Sequence, residues 1–219
     1  MPYYAFFDVD DTLISIKSMF RFQEFWYAAT GDRAGQDAFA GEFAALRAAG
    51  AAREELNRRY YAHFAGRSAA AVAECAERWF AHVEATTPGL WHAPVVARLK
   101  AHQAAGIEAV FVSGSFPALL EPVARRLSVG HLLCTTMEQA GGRFTGAILP
   151  PQTIGDGKAR AVAGFLARTH ADPAGCFAYG DDISDLPMLA AVGHPTAVRG
   201  CARLAGEAKA RGWEVLAAA

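Results

Sequence analysis

The amino-acid sequence predicts an α/β protein, in which a parallel sheet carries helices on both faces and an all-helical cap is inserted after the first strand. Two observations lead to this prediction. Residues 16–85 show helical periodicity that no strand-like alternation interrupts. After residue 89, short apolar runs that end in polar residues alternate with helical segments, which is typical of a parallel sheet.

The composition is that of a globular protein with room for one good core and an insertion. The chain has 219 residues, of which 53% are apolar and 20% are charged, and its formal net charge is −1. This balance gives no electrostatic basis for binding nucleic acid or a membrane. Because no basic segment precedes a long apolar run, and no apolar run reaches about 18 residues, we expect neither a signal peptide nor a membrane span.

The cysteines favour a reducing compartment. They are far apart and form no CxxC pair, so we expect small core residues rather than disulfides or zinc ligands. We therefore expect a cytoplasmic protein. The four residues are Cys75, Cys134, Cys176 and Cys201.

The first strand is predicted at Tyr3–Val9, where polar residues end an aromatic-rich apolar run. The helical block follows it and stops at a Thr-Thr-Pro-Gly break, residues 86–89. The sequence therefore predicts two domains. Residues 16–87 form the helical cap, and residues 1–15 and 88–219 form the core.

The second half of the chain alternates between strands and helices. Gly141-Gly142 stands between two polar–apolar stretches and predicts a hairpin over Met137–Ile148. The predicted strands are Glu108–Val112, His131–Thr135, Cys176–Tyr179, Thr196–Val198 and Trp213–Leu216. The predicted helices are 93–105, one that starts at Pro117 and carries Leu127, Gly157–Thr169, Leu186–Ala191 and Ala202–Ala210.

Polar and charged residues stand where three of these strands end. In an open parallel sheet, ligands bind beyond the carboxyl ends of the strands, so we expect these residues at one edge of the sheet. A lysine that opens a later helix is expected beside them. The residues are Asp8, Asp10 and Thr12 after the first strand, Ser113 and Gly114 after the second, Asp181, Asp182 and Asp185 after the later one, and Lys158.

A carboxylate cluster of this kind needs a cation, because like charges repel and a buried carboxylate loses hydration. Oxygen ligands with room for water suit Mg²⁺. The lysine and the backbone N–H groups of the Gly-flanked turn favour a phosphate. An aspartate beside both can attack phosphorus, and a carboxylate two residues further on can protonate the leaving alcohol.

Four segments resemble the motifs of the haloacid dehalogenase (HAD) superfamily, in the same order. They are DVDDT at 8–12, VSGS at 112–115, Lys158 and GDDISD at 180–185. The pattern from WHAPVVARLKAHQAAGIEAVFVSGS through GDDISDLPML to GWEVL resembles the phosphoserine-phosphatase-like branch, subfamily IB. The resemblance implies a Rossmann-like core with its cap after the first motif, and a Mg²⁺-dependent phosphomonoesterase that acts on a small phosphorylated metabolite.

The resemblance also implies a role for each matched residue. Asp8 is the implied nucleophile and a metal ligand, and Asp10 is the implied general acid/base whose backbone carbonyl also binds the metal. Ser113 and the Gly114 N–H are implied to bind a phosphoryl oxygen, and Lys158 is implied to neutralise charge. Asp181 is implied to bind Mg²⁺, and Asp185 to support both the metal and Lys158. Thr12 is implied to order the loop, and Asp182 to have a supporting loop position.

Two positions differ from the phosphoserine phosphatases that the chain resembles. Those enzymes recognise the substrate's ammonium with a glutamate after the first motif, where an ungapped comparison places Lys17. Since a lysine repels an ammonium, we expect a carboxylate, a second phosphate or a hydroxyl on the substrate, unless Lys17 faces solvent. Ser184 replaces the usual Asn. Further cap candidates are Arg21, Arg47, Arg53, Arg58, Tyr60 and His63.

Three alternatives stay open. The protein could be a phosphoserine phosphatase proper, or a phosphotransferase that passes the same aspartyl-phosphate to an alcohol. It could also be an inactive phosphometabolite sensor or a partner-binding protein, although neither needs Asp10 or Lys158. The sequence does not indicate the oligomeric state.

Overall fold

The central sheet of the molecule has six parallel strands. The computed structural model describes residues 2–218. In chain order the strands are β1 (Tyr4–Phe7), β2 (Glu108–Ser113), β3 (His131–Cys134), β4 (Thr136–Ala140), β5 (Arg143–Leu149), β6 (Phe177–Gly180), β7 (His194–Val198) and β8 (Glu214–Leu216). The central sheet has the order β3-β2-β1-β6-β7-β8, and each neighbouring pair is parallel. This confirms the predicted sheet.

Helices cover both faces of this sheet. They are α1 (Ser18–Thr30), α2 (Arg33–Ala48), α3 (Arg53–Ala62), α4 (Ala69–Thr86), α5 (Ala93–Ala104), α6 (Pro117–Leu127), α7 (Asp156–Thr169), α8 (Leu186–Leu189) and α9 (Ala202–Arg211). Helices α5 and α6 contribute to the apolar cluster on one face, whereas α7, α8 and α9 contribute to the cluster on the other. Successive side chains of a strand point to opposite faces, so Phe7 joins the first cluster and Phe6 the second.

Helices α1 to α4 follow one another over residues 18–86, which confirms the predicted helical block. Their apolar side chains form one cluster with a face of the sheet, because Phe22, Tyr60 and Trp79 belong to the same buried cluster as Phe7. Each of the three is at most 1% exposed, and burial of such a side chain stabilises the fold by about 1.5–3 kcal/mol. The helical block is therefore packed onto the sheet rather than tethered to it.

Strands β4 and β5 form the predicted hairpin, an antiparallel pair separate from the central sheet. Gly141 and Gly142 make its turn with φ of 56° and 74°, a region in which glycine is favoured. The hairpin lies against the segment between α3 and α4. There the Gly66 N–H donates to the Phe144 carbonyl at 2.8 Å, and the Phe144 N–H donates to the Arg67 carbonyl at 3.0 Å. The sequence did not predict this docking.

The cysteines are all free. Cys75 and Cys176 are buried, and Cys134 and Cys201 are half-buried. Within residues 2–218, no helix combines the length and the apolar character that a membrane crossing requires.

Candidate active site

The carboxyl ends of β2, β1 and β6 lie side by side at one edge of the sheet. Strands β2 and β3 are added on one side of β1, whereas β7 and β8 are added on the opposite side, next to β6. Ligands of open α/β sheets bind at such a point, where the direction of strand addition reverses. A cavity at this edge brings together the sequence-predicted residues Asp8, Asp10, Lys17, Ser113, Gly114, Lys158, Asp181, Asp182 and Asp185. Thr12 is fully buried beneath the cluster and contacts two of its carboxylates.

Lys158 forms the centre of the charged cluster. Its Nζ donates to Asp8 Oδ1 and to Asp185 Oδ1, both at 2.6 Å. The first turn of α7 places the lysine there, where it is 5% exposed. Burial alone lowers the pKa of an ammonium, but the carboxylates of Asp185 and Asp8 outweigh it and hold the pKa of Lys158 above its ordinary value. The ammonium therefore stays charged, and it neutralises part of the acidic cluster.

Thr12 lies between the carboxylate of Asp8, which follows β1, and the carboxylate of Asp181, which follows β6. Its hydroxyl is 2.8 Å from Asp181 Oδ1 and 3.2 Å from Asp8 Oδ2. A hydroxyl has one proton, so it donates to one carboxylate at a time, and Asp181 is the nearer. The loop turns inward because Asp11 adopts a left-handed conformation with φ of 60°, which aspartate tolerates better than most residues.

The cluster carries more negative than positive charge. Asp8, Asp181 and Asp185 are buried around a single buried ammonium, and one carboxylate oxygen from each lies within 4.8 Å of the others. Burial, followed by the charges of Asp8 and Asp185, raises the pKa of Asp181 to about 7. A cation bound there would relieve this repulsion.

The donor set fits a hard divalent cation such as Mg²⁺, since all the candidate ligands are oxygens. Asp185 already accepts bonds at both oxygens, from Lys158 Nζ and from the Asp182 N–H at 3.1 Å. Asp181 Oδ2 accepts none of these bonds, and Asp8 shares the single Thr12 proton with Asp181. These two carboxylates are therefore better placed than Asp185 to hold the cation.

Asp10 connects the loop after β1 to the helical block. Its Oδ2 accepts bonds from the backbone N–H and the hydroxyl of Ser18, both at 3.0 Å, and so satisfies one of the free N–H groups in the first turn of α1. Its Oδ1 is buried and has no partner among the described residues. Burial, and to a smaller extent the charge of Asp8, raises the pKa of Asp10 to about 7, although the bond from Ser18 opposes this. One carboxylate oxygen is thus fixed while the other is free to exchange a proton.

The turn after β2 brings backbone to the cavity. The Ser115 N–H donates to Ser113 Oγ at 3.1 Å. A Cβ atom on Gly114 would lie 2.7 Å from Cγ1 of Ile154, closer than real Cβ contacts allow. Glycine at position 114 therefore lets Ile154 pack against the turn.

The helical block contributes the remaining wall of the cavity. Of the six further cap candidates, Arg53 lines it, and its guanidinium pairs with Asp182 at 2.7 Å. Met19 and Asn57 also line it, which the sequence did not predict. The sequence feature that could have pointed to Asn57 is its position four residues before the aromatic Tyr61, which places both residues on the buried face of α3.

Lys17 reaches the cavity but is not an isolated charge. Its Nζ lies 2.6 Å from Asp11 Oδ2, and its side chain is 51% exposed. Burial lowers the pKa of this ammonium, but the bond and charge of Asp11 more than compensate, so its pKa is raised. The predicted contact between Lys17 and a substrate stays a prediction.

The sequence of this chain is similar to that of a known hydrolase family and of several phosphatases. The model of the haloacid dehalogenase-like hydrolase family matches residues 5–190. A probable phosphatase of Mycobacterium tuberculosis is 39% identical over 118 residues, which make up 54% of this chain and 41% of that protein. The present chain thus covers less than half of that relative's length. A phosphoserine phosphatase of the same organism is 30% identical over 217 residues, or 96% of this chain and 69% of that one.

The same fold occurs in a solved structure. The crystal structure of a protein with unknown function from Bordetella pertussis Tohama I is 27% identical and superposes over the whole of both chains with a TM-score of 0.87. The family match extends from β1 to beyond the motif after β6 and so includes all four segments on which the resemblance rests. The chain therefore belongs to the haloacid dehalogenase-like hydrolase family.

Proposed function

We propose that this protein is a Mg²⁺-dependent phosphomonoesterase that hydrolyses a small phosphorylated metabolite through an aspartyl-phosphate on Asp8. The observation that supports this most strongly is the buried ammonium of Lys158 between Asp8 and Asp185. Its charge lies against Asp8, the proposed nucleophile, and can neutralise the phosphoryl group that Asp8 receives. Two relatives are named as phosphatases, and these names favour the same activity.

In the proposed reaction, a carboxylate oxygen of Asp8 attacks phosphorus and the bond to the alcohol oxygen breaks. Asp10 gives its proton to that oxygen. It then takes a proton from water as the water attacks the phosphorus, which releases inorganic phosphate and restores Asp8. The Ser113 hydroxyl and the Gly114 N–H bind a phosphoryl oxygen. Bound Mg²⁺, held by Asp8, Asp181 and the Asp10 carbonyl, would supply positive charge for the phosphoryl oxygens.

The free oxygen of Asp10 supports hydrolysis over simple binding. A binding protein gains nothing from a buried carboxylate oxygen without a partner, since such an atom costs about 1–3 kcal/mol. A general acid/base needs this arrangement, because the oxygen must be free to hold and release a proton.

For the substrate, we propose an acid, sugar or polyol phosphate. Lys17 and Arg53 stand on the cap side of the cavity, and they favour an anionic or hydroxyl-bearing group over an ammonium. Their partners Asp11 and Asp182 reduce this preference. Phosphoserine therefore stays as an alternative substrate, which the name of one relative favours.

The proposal is tested by phosphate release. After chelation of divalent ions, the protein should be inactive toward p-nitrophenyl phosphate, and Mg²⁺ should restore its activity. A screen of phosphorylated metabolites then identifies the substrate, and added acceptor alcohols reveal any phosphotransfer. Full activity without a divalent ion would refute the metal requirement, and a clear preference for phosphoserine would refute the argument from Lys17.

Gly114→Ala should lower kcat/KM for p-nitrophenyl phosphate by about 10- to 100-fold, since small displacements in a site are costly. The added methyl group must push Ile154 or the turn aside. Gly164→Ala is the matched control, because the added Cβ would lie 3.5 Å from one atom of Arg168, an ordinary van der Waals distance. A second change, Ile154→Ala, should restore much of the lost activity in Gly114→Ala. If it restores none, the contact is not the cause.

A further inference from the structure

We propose that α3 positions the phosphate-binding turn through Asn57 and Tyr61, so that a helix outside the sheet fixes a catalytic hydroxyl. The inference rests on the phosphatase function proposed above. Neither residue belongs to the four motif segments. Both lie on one face of α3 because they are four residues apart.

The two side chains bind the same backbone atom. Asn57 Nδ2 donates to the Gly114 carbonyl at 3.0 Å, and the Tyr61 hydroxyl donates to it at 2.7 Å. Asn57 is 5% exposed and Tyr61 is fully buried, so water does not compete for this carbonyl from their side. Gln152 holds Asn57 in turn, with its Nε2 at 2.9 Å from Asn57 Oδ1. This fixes which end of the Asn57 amide faces the turn.

Fixing the Gly114 carbonyl also fixes the Ser115 N–H. The two groups belong to one planar trans peptide, in which they point in opposite directions. The Ser115 N–H donates to Ser113 Oγ at 3.1 Å. It thereby occupies one lone pair of that oxygen and leaves the hydroxyl proton of Ser113 to be donated elsewhere. In the proposed reaction its acceptor is a phosphoryl oxygen.

The chain supplies a matched comparison at the neighbouring position. Tyr60 is also fully buried, and its hydroxyl donates to a backbone carbonyl, that of Met19, at 2.8 Å. That carbonyl belongs to α1 rather than to the phosphate-binding turn. Tyr61 does not line the cavity, so removal of its hydroxyl takes no group from direct contact with a substrate.

The experiment compares Tyr61→Phe with Tyr60→Phe in the full chain. Each exchange removes one buried hydroxyl and keeps the ring, so the two variants should lose similar thermal stability. We expect Tyr61→Phe to lower kcat/KM for p-nitrophenyl phosphate by about 10-fold, and Tyr60→Phe by less than about 2-fold. Adding Asn57→Ala to Tyr61→Phe should cost more than the product of the single losses, because the carbonyl then loses its last donor.

Amide hydrogen exchange provides a readout that does not require activity. Peptides that contain Ser115 should exchange faster in Tyr61→Phe than in Tyr60→Phe or the wild type. Equal losses of activity in the two Phe variants, or unchanged exchange at the turn in Tyr61→Phe, would overturn the inference. A wild-type protein that does not hydrolyse p-nitrophenyl phosphate would count against the proposed function instead, and the exchange comparison would still decide whether α3 holds the turn.

Discussion

Asp8→Asn should lose at least about 10⁴-fold in kcat toward p-nitrophenyl phosphate, a loss typical of removing a nucleophile. Asparagine has no anionic oxygen with which to attack phosphorus. Its amide oxygen can still accept the bond from Lys158 Nζ, which is 2.6 Å from Asp8 in the native chain. The exchange therefore removes the chemistry and keeps the packing.

The stability of Asp8→Asn should not fall with its activity. Three buried carboxylates share one ammonium in the native cluster, so loss of one negative charge relieves repulsion with Asp181 and Asp185. In buffer with a chelator, we expect a thermal midpoint equal to or above that of the wild type. Asp37→Asn, at an exposed position of α2, is the control for the exchange. Wild-type activity in Asp8→Asn would rule out Asp8 as the nucleophile.

Lys158→Met should damage both properties. Asp8 and Asp185 would remain as buried carboxylates without their counter-ion. Breaking a buried pair in this way costs about 3–5 kcal/mol, because an uncompensated charge is left behind. We expect the free energy of unfolding to fall by about this amount at neutral pH, together with nearly all activity. Denaturant unfolding in the presence of a chelator measures the first effect, and phosphate release measures the second.

The control for Lys158→Met is Lys209→Met, which removes an exposed lysine from the last turn of α9. It should change neither property measurably. Added Mg²⁺ should stabilise Lys158→Met more than it stabilises the wild type, since the variant has more negative charge for the ion to neutralise. If Lys158→Met matches the wild type in unfolding free energy, the ammonium contributes nothing to the balance of charge in the cluster.

The edge of the sheet could be predicted from the sequence because it depends on topology. Strands that run in parallel bring their carboxyl ends to one edge, so Asp8, Ser113 and Asp181 could be expected at that edge once β1, β2 and β6 were identified. That these three strands are neighbours follows from the strand order, which the sequence did not predict. Short apolar runs that end in polar residues were sufficient to identify these strands, and helical periodicity was sufficient to identify the helical block. The roles of the residues at this edge remain predictions.

Contacts that depend on the orientation of a helix or a turn could not be predicted in this way. The left-handed conformation of Asp11 brings its carboxylate to Lys17, and no sequence pattern signals that pairing. Asn57 and Tyr61 lie on α3, whose rotation about its axis is set by packing against the rest of the molecule. Their shared acceptor is far away in the sequence, so periodicity within α3 does not reveal it.

The docking of the β4–β5 hairpin limits how this protein can be recombined with its relatives. A chimera that receives residues 16–87 alone would leave the backbone groups of Gly66 and Arg67 without the partners that Phe144 provides. The graft would lose these two backbone hydrogen bonds, and it would also lose the packing of Phe144, which is 7% exposed here. The transferable module therefore consists of two separate stretches of chain, and a swap designed to change substrate preference has to carry the hairpin with the helices.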